Sequence, residues 1–232
     1  MQLESVSVKR LYLQIAEQLS EMILSGQLSV GERLPSERDL ASRFKVSRPT
    51  IREALIALEV SDLVDIRSGS GVYVREHPGE DSLVGCLNEP GPFEILEARM
   101  LVEGEAVALA AQRISQQELH QVRSLLKQMK ELDGGDTEAS ERVDQQFHLL
   151  IAEASRNSAL STTIQWLWGL RNKSETSAAF HAKLRERGSQ PIVADHKAIF
   201  DALQKKDPEQ ARAAMHTHLR RVMDEFSEYS LN

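Results

Sequence analysis

The chain has 232 residues, 41% hydrophobic and 27% charged, with a single cysteine, Cys86. That is enough chain for one or two packed domains, and it excludes an internal disulfide. No apolar run reaches the ~20 residues of a membrane helix. The start, Met1-Gln-Leu-Glu-Ser-Val-Ser, lacks the basic-then-apolar order of a signal peptide, so a cytoplasmic protein with no membrane contact is expected. The net charge of −7 argues against a nucleic-acid partner only until it is divided: residues 1–75 hold ten basic and ten acidic side chains, the remainder 18 and 25. Screening confines charge effects to roughly 8–10 Å, so local arrangement decides.

Residues 10–25 place Leu11, Ile15, Leu19, Met22 and Ile23 at helical spacing, with Gly26 as the stop. A second helix starts at Ser36, a good N-cap, with Glu37 and Asp39 at its positive end and Leu40, Ala41 and Phe44 on its apolar side. Ser47 caps a third, with Pro49 in its first turn and Ile51, Ala54, Leu55 and Leu58 inward. After Leu63 the period changes to two: Leu63–Arg67 and Val72–Arg75, joined by Ser-Gly-Ser-Gly, read as a β-hairpin. Residues 76–91, with two prolines and three glycines, read as a linker. Beyond it only helices are expected, over 92–113, 116–132, 138–155, 158–173, 192–205 and 208–229, with a less defined one around 174–187. Ser115 with Glu118 forms a capping box, Gly134-Gly135 ends a helix, and Asp207-Pro208 starts one.

The run from Arg33 to Leu55 carries the chemistry. Two short helices joined by a tight turn put Ser47, Arg48, Thr50 and Arg52 at the end of the third helix that would enter a major groove. Arginine binds guanine O6 and N7 in bidentate fashion. Arg48 is the first candidate for base reading. Arg38 and Arg52 suit bases or phosphate, and Ser47 and Thr50 suit phosphate, which fixes register without reading sequence. The hairpin tip, Ser68, Gly69 and Gly71 among its residues, lacks bulky side chains, so its backbone can approach a minor groove.

These segments, Gly31-Glu-Arg-Leu-Pro-Ser-Glu-Arg-Asp-Leu-Ala, Val46-Ser-Arg-Pro-Thr-Ile-Arg-Glu-Ala-Leu and Gly69-Ser-Gly-Val-Tyr-Val, resemble the winged-helix domain of GntR-family bacterial transcription regulators over residues 8–75. One departure is Asp62, where the family often has glycine before the leucine that opens the wing. The expected fold is therefore mainly α: a winged helix-turn-helix of three helices plus a β-hairpin wing (1–75), a linker (76–91) and an all-α helical bundle (92–232).

In the second domain Asp144 and His148 stand four residues apart on one helix face, beside the apolar Val143, Phe147, Leu150, Ile151 and Ala154. His196 follows Pro191 near the start of a late helix, and His218 lies beside Met215, Leu219 and Val222 in the next. Three imidazoles and a carboxylate suit Zn²⁺, and also Ni²⁺ or Mn²⁺. Spacing alone leaves a second reading open, since such pairs are common on helix surfaces and an inward histidine is commonly a satisfied core residue. Asp144-Gln-Gln-Phe-His148, Asp195-His196 and Ala214-Met-His-Thr-His-Leu219 resemble the FCD ligand-binding domain of the FadR-type subfamily. That resemblance implies a divalent metal held by Asp144, His148, His196 and His218 inside an effector-binding and dimerisation domain. His216, on another face, is not placed in the set, and His77, His120 and His181 are read as solvent-facing.

A metal pocket suits an anionic guest, and arginine is its natural partner. Arg99 resembles the family's ligand-facing arginine, an ion pair with Glu103 being the other reading. Arg171 is a second candidate, and Asn157 suits a water or a ligand hydroxyl. Trp166 and Trp168 are read as core. Gly91-Pro-Phe-Glu-Ile-Leu-Glu-Ala-Arg and Asn157-Ser-Ala-Leu are similar to regulators of hexuronate and related sugar-acid breakdown. The expected function is a ligand-responsive repressor: a homodimer on a short inverted repeat of double-stranded DNA, sensing a small organic acid such as a hexuronate at the metal. One alternative is a metal-free ligand such as an acyl-CoA, against which the intact four-residue set argues. Another is a metalloenzyme, since such a set can activate water. No HExxH or other catalytic pairing accompanies it, so the chain is expected not to be an enzyme.

Overall fold

The computed structural model describes residues 10–67, 69–76, 90–186 and 191–231. They fall into two compact units, the winged-helix elements in one and Glu94–Asp224 in the other. The expected linker lies almost wholly outside the described residues, as does Ser68.

The first unit packs α1 (Leu11–Leu24), α2 (Glu37–Phe44) and α3 (Arg48–Val60) with β1 (Val64–Arg67) and β2 (Gly71–Val74). The α3 helix packs on α1, α2 and β1. The core is Tyr12, Leu13, Ile15, Ala16 and Leu19 against Ile51, Ala54, Leu55, Leu58, Leu63 and Ile66, all buried. Each large side chain contributes about 1.5–3 kcal/mol by leaving water. Leu11 and Met22 are exposed instead, and Tyr12 holds the inward position in the first turn.

The caps form as expected. Ser36 Oγ accepts from Asp39 N at 3.2 Å and Ser47 Oγ from Thr50 N at 3.3 Å. The wing is an antiparallel pair with Val64 opposite Val74 and Ile66 opposite Val72. Its alternation buries Val64, Ile66, Val72 and Val74. The segment before α2 adds a short pairing that periodicity does not reveal: Leu34 N donates to Val72 O at 2.8 Å and Val74 N to Glu32 O at 2.9 Å. Asp62 does the work of the family's glycine. It takes the left-handed φ of 56°, which aspartate tolerates better than most residues, and its carboxylate accepts from Arg75 Nη1 at 2.7 Å.

The second unit is helical: α4 (Pro92–Arg113), α5 (Gln116–Leu132), α6 (Thr137–Ala154), α7 (Ser158–Lys173), α8 (Glu175–Glu186), α9 (Val193–Lys205) and α10 (Pro208–Leu231), the ends of α4 and α10 running past the unit's bounds. The α5 helix packs on α6 and α9, and α7 on α6 and α8. Ser115 and Glu118 complete the capping box. Asp207 Oδ1 accepts from Gln210 N at 2.9 Å ahead of α10. Phe147, Trp168 and Phe180 are fully buried. Trp166 is not core: it is 61% exposed. Residues two positions apart on a helix are about 200° apart around its axis, so 166 and 168 cannot both face inward. No helix among the described residues is long and apolar enough to cross a membrane.

Candidate nucleic-acid interface and metal centre

The N-terminal end of α3 stands open to solvent, with Ser47 and Arg48 exposed and Thr50 half-buried. Ser47 and Thr50 share a hydroxyl hydrogen bond of 2.7 Å. Arg48 and Arg52 are both tied to Glu37 of α2. Arg48 Nε donates to Oε1 and Arg52 Nε to Oε2, each at 2.8 Å. The Glu37 side chain is fully buried, that of Arg52 only 12% exposed and that of Arg48 53% exposed. Arg48 is thus held by its Nε while half its surface faces outward. Arg52 is turned inward beside Glu37, which makes it a brace more than a reader. Arg38 projects into solvent, its side chain 86% exposed and its Nε 4.0 Å from Asp39.

At the wing, Gly69 adopts φ 74° and Gly71 φ 119°. The space where a Cβ on Gly71 would sit is taken by Arg33, whose Nε would be 2.5 Å away. Arg67, 4.6 Å over the Tyr73 ring, adds a second cation to the wing. Arg33 and Arg67 were missed as interface candidates. Arg33 lies between α1 and α2 in sequence and is brought to the wing by the pairing of its segment with β2, Arg33 opposite Tyr73.

In the second unit Asp144 and His148 of α6, His196 of α9 and His218 of α10 converge. All four are buried, and one ligand atom from each lies within 4.8 Å of the others. That is close to the ~4 Å spanned by opposite ligands of one ion at bonds of about 2.0–2.2 Å. The ring nitrogens show what the set accommodates. His196 Nδ1 lies 2.9 Å from the Ile192 carbonyl, which can only accept, so this nitrogen carries hydrogen. Its Nε2 then faces Asp144 Oδ1 at 2.7 Å. His148 Nδ1 donates to Glu103 Oε2 at 2.5 Å, while its Nε2 is buried without a partner, 3.5 Å from the same Asp144 oxygen. Lone pairs turned on a carboxylate need positive charge between them, from protons or a metal. Histidines whose outer nitrogens are fixed by a carboxylate and a carbonyl have the arrangement of metal ligands.

In the metal-free set protons supply that charge, and a metal would have to displace the one on His148. Burial opposes charge on Glu103, but Arg99 and His148 outweigh it and hold its carboxyl at about 2. Burial likewise works against an imidazolium at His148, yet Glu103 and Asp144 raise it to about 9. Asp144 is buried too, and the His148 and His196 imidazoles beside it keep it ionised, well below the ordinary carboxyl range. His218 is pushed down to about 4 by burial and by the His196 and His148 rings. It is therefore neutral, as a ligand must be. Asp195 lies behind it, 3.8 Å from His218 Nδ1 and 3.1 Å from Arg221. The parts of Glu103 and Asp195 were not legible in sequence; the Glu103 contact to His148 spans 45 residues.

Arg99 takes the ion-pair reading. Its Nε donates to Glu103 at 2.6 Å, and its guanidinium lies 3.8 Å over the Trp168 ring, itself 5.4 Å from His148. Arg171 lies 5.3 Å from the same indole and pairs with Glu141 at 2.9 Å. Asn157 does not join them. Its Oδ1 accepts from Ala159 N and Leu160 N at 3.2 and 3.3 Å, so its side chain caps α7. His181 is buried rather than solvent-facing, and with Arg171, Asn172 and Gln145 it lines a cavity of about 220 Å³. The inward face of α8 is rich in serine and threonine, which hid its burial from a hydrophobic pattern. His120 is exposed as expected, and His77 lies outside the described residues. His216 packs its ring over Gly104 of α4, away from the cluster's four ligands.

Residues 11–74 match the bacterial regulatory proteins of the gntR family, and residues 94–221 match the FCD domain. The chain is 34% identical to the Uxu operon transcriptional regulator of Escherichia coli strain K12, over 97% of this chain and 90% of that protein. It is 35% identical to the Exu regulon transcriptional regulator of the same strain, over 94% and 84%. A GntR family member from Pseudomonas syringae pv. tomato has a crystal structure 26% identical in sequence, with TM-score 0.50, over 94% of this chain and 85% of that one. These relatives are regulators, not enzymes. The chain belongs to the GntR family of bacterial transcription regulators, with an FCD domain following its DNA-binding head.

Proposed function

We propose that this regulator is a repressor that works in the cytoplasm as a homodimer, one winged head on each half of a short inverted repeat. Two-fold protein symmetry suits a two-fold DNA site. Arg48 reads a base edge, Arg38, Ser47 and Thr50 hold phosphates, and the wing backbone at Gly69 and Gly71 approaches the minor groove. Ser68 shares that role as an expectation from sequence.

The effector is a small organic acid, received at a metal centre formed by Asp144, His148, His196 and His218. Zn²⁺ fits this nitrogen-rich set best, with Ni²⁺ and Mn²⁺ next. A bound metal supplies an electrophilic position for a carboxylate oxygen. Arg99 and Arg171 supply the positive surroundings, and Glu103 holds His148 in the tautomer that points Nε2 at the centre. The relatives named for the Uxu operon and Exu regulon favour a hexuronate as the acid. To act, the acid must bind the DNA-free state more tightly than the DNA-bound one.

The observation that carries this reading is the unpartnered, buried Nε2 of His148 facing Asp144 beside His196 and His218. The test pairs elemental analysis with fluorescence anisotropy on a palindromic duplex, with and without D-glucuronate and D-galacturonate. Near one metal per chain and operator release by one acid are expected. Metal-free purified protein, or operator binding indifferent to both acids, overturns it.

A further inference from the structure

Strand alternation gives the wing two faces. The inward one buries Val64, Ile66, Val72 and Val74. Residues directly opposite each other in an antiparallel pair share a face. The register sets Arg67 opposite Gly71 and Asp65 opposite Tyr73, and Arg33 pairs with Tyr73 from the other side. The outer face therefore gathers Arg33, Tyr73 and Arg67 around Gly71, none of them buried.

Arg33 is seated on that face. Its Nε, Nη2 and Cζ lie 2.5, 3.0 and 3.1 Å from the point where a Cβ at position 71 would stand. The backbone there also adopts φ 119°, which only glycine takes without strain. Glycine thus leaves a socket, and a guanidinium fills it. An arginine laid against the sheet in this way has less side-chain freedom to lose on binding than one extended into water.

The charge of Arg33 is left uncompensated. Asp65, the acid on this face, holds Arg67 Nε at 2.8 Å, and Arg67 leans over the Tyr73 ring at 4.6 Å. The neighbouring Glu32 accepts from Ser29 N at 2.8 Å. Asp62 is engaged by Arg75, and Glu37 by Arg48 and Arg52. Among the described residues no acid pairs with Arg33. The chain also holds it near the reading head. Four residues of backbone, ~14 Å at full extension, separate it from Glu37, whose carboxylate holds Arg48. Its seat favours a phosphate over a base edge, because a guanidinium lying on the wing is not extended toward the floor of a groove.

We propose that Arg33, seated in the socket at Gly71, grips a DNA phosphate beside the minor groove that the wing approaches. This rests on the reading above that the wing meets DNA. It adds a contact that fixes the wing's position without reading sequence, so that Arg48 specifies while Arg33 anchors.

The test is DNA affinity against salt for the full chain, read by fluorescence anisotropy on two probes: a palindromic duplex selected by the wild type from a random pool, and a random-sequence duplex. Wild type, Arg33→Gln and Arg33→Lys are compared. Losing one phosphate contact should flatten the plot of log affinity against log salt by about 0.9 per bound chain. Arg33→Gln should show that change on both duplexes and weaken both alike. Arg33→Lys keeps the charge and should restore most of the slope. Arg33 is exposed, so both variants should melt with the wild type. An unchanged slope in folded Arg33→Gln overturns this inference and leaves the DNA-binding head standing. A loss that grows with the A·T content beneath the wing overturns the phosphate assignment, since it makes Arg33 a reader of minor-groove shape. Wild-type binding that is indifferent both to salt and to the choice of duplex overturns this inference and the reading of the head together.

Discussion

Glu37→Gln tests how the reading head is organised. The side chain keeps its shape but loses the charge that holds Arg48 and Arg52 at 2.8 Å. Arg52 is nearly buried, so losing its charged hydrogen bond should cost about 2–3 kcal/mol. Arg48 is half-exposed, and its bond contributes about 0–1 kcal/mol. The sum, about 3 kcal/mol, is less than the ~5–15 kcal/mol of an ordinary domain, so the variant should fold and urea should unfold it at lower concentration. Its effect on DNA has two parts. Freed from Glu37, Arg48 must be immobilised on binding, at about 0.5–1.5 kcal/mol, or roughly two- to thirteenfold in operator affinity. One negative charge fewer near the phosphates strengthens sequence-independent attraction. Anisotropy titrations on operator and random duplex should therefore show the ratio of affinities falling about tenfold, with random-DNA binding unchanged or tighter. An unchanged ratio in a folded variant would refute the idea that Glu37 positions Arg48.

Arg48→Ala should remove about 1–3 kcal/mol of discrimination at one base position; a panel of single-substitution duplexes in competition assays reads it. His196→Ala should cut metal content to well below one per chain by elemental analysis, since it deletes one of four donors and the partner of Asp144. Gly71→Ala should lower the melting temperature, by about 1–3 kcal/mol of stability. The new methyl meets Arg33 and φ 119° is unfavourable for alanine. Glu118 gives a pH prediction. Burial opposes its charge, but the hydrogen bonds from Arg156 and Ser115 win and lower its pKa below 4.5. The folded state therefore holds this proton more weakly than the unfolded chain, and the stabilisation is present above about 4.5 and lost as pH falls through the lowered value. Glu118→Gln should flatten that part of the acid-unfolding profile followed by circular dichroism.

Much of the fold was legible because its signals are local. Ser36, Ser47, Ser115 and Asp207 each cap a helix where the chain needs one, and the change from period 3.6 to period 2 after Leu63 marks the wing. Asp144 and His148 were legible as a pair because four residues make one helical turn. What escaped depends on distant contacts or on polar burial. Nothing beside Glu103 in sequence announces His148, and nothing beside Glu37 announces Arg52, 15 residues on. His181 was misread because its neighbours Ser174, Thr176 and Ser177 are buried hydroxyls. Asn157 drew attention as a ligand contact because a helix cap and a ligand contact want the same side chain.

The two sites follow one physical rule. In each, a buried glutamate on one helix fixes nitrogen-bearing side chains on another: Glu37 of α2 for Arg48 and Arg52 of α3, Glu103 of α4 for His148 of α6. A buried carboxylate is costly unless paired, so each persists only while its partners stay in place. That cost makes the arrangement selective. A rotamer that pulled Arg48 or His148 away would leave an unpaired buried charge, which penalises misaligned geometries far more than a solvent-exposed pair would. The groups proposed to meet a base edge or a metal are therefore held in place by the fold itself. The protein spends folding stability to have them there, and replacing either glutamate by an apolar residue of its size should loosen function more than it loosens the fold.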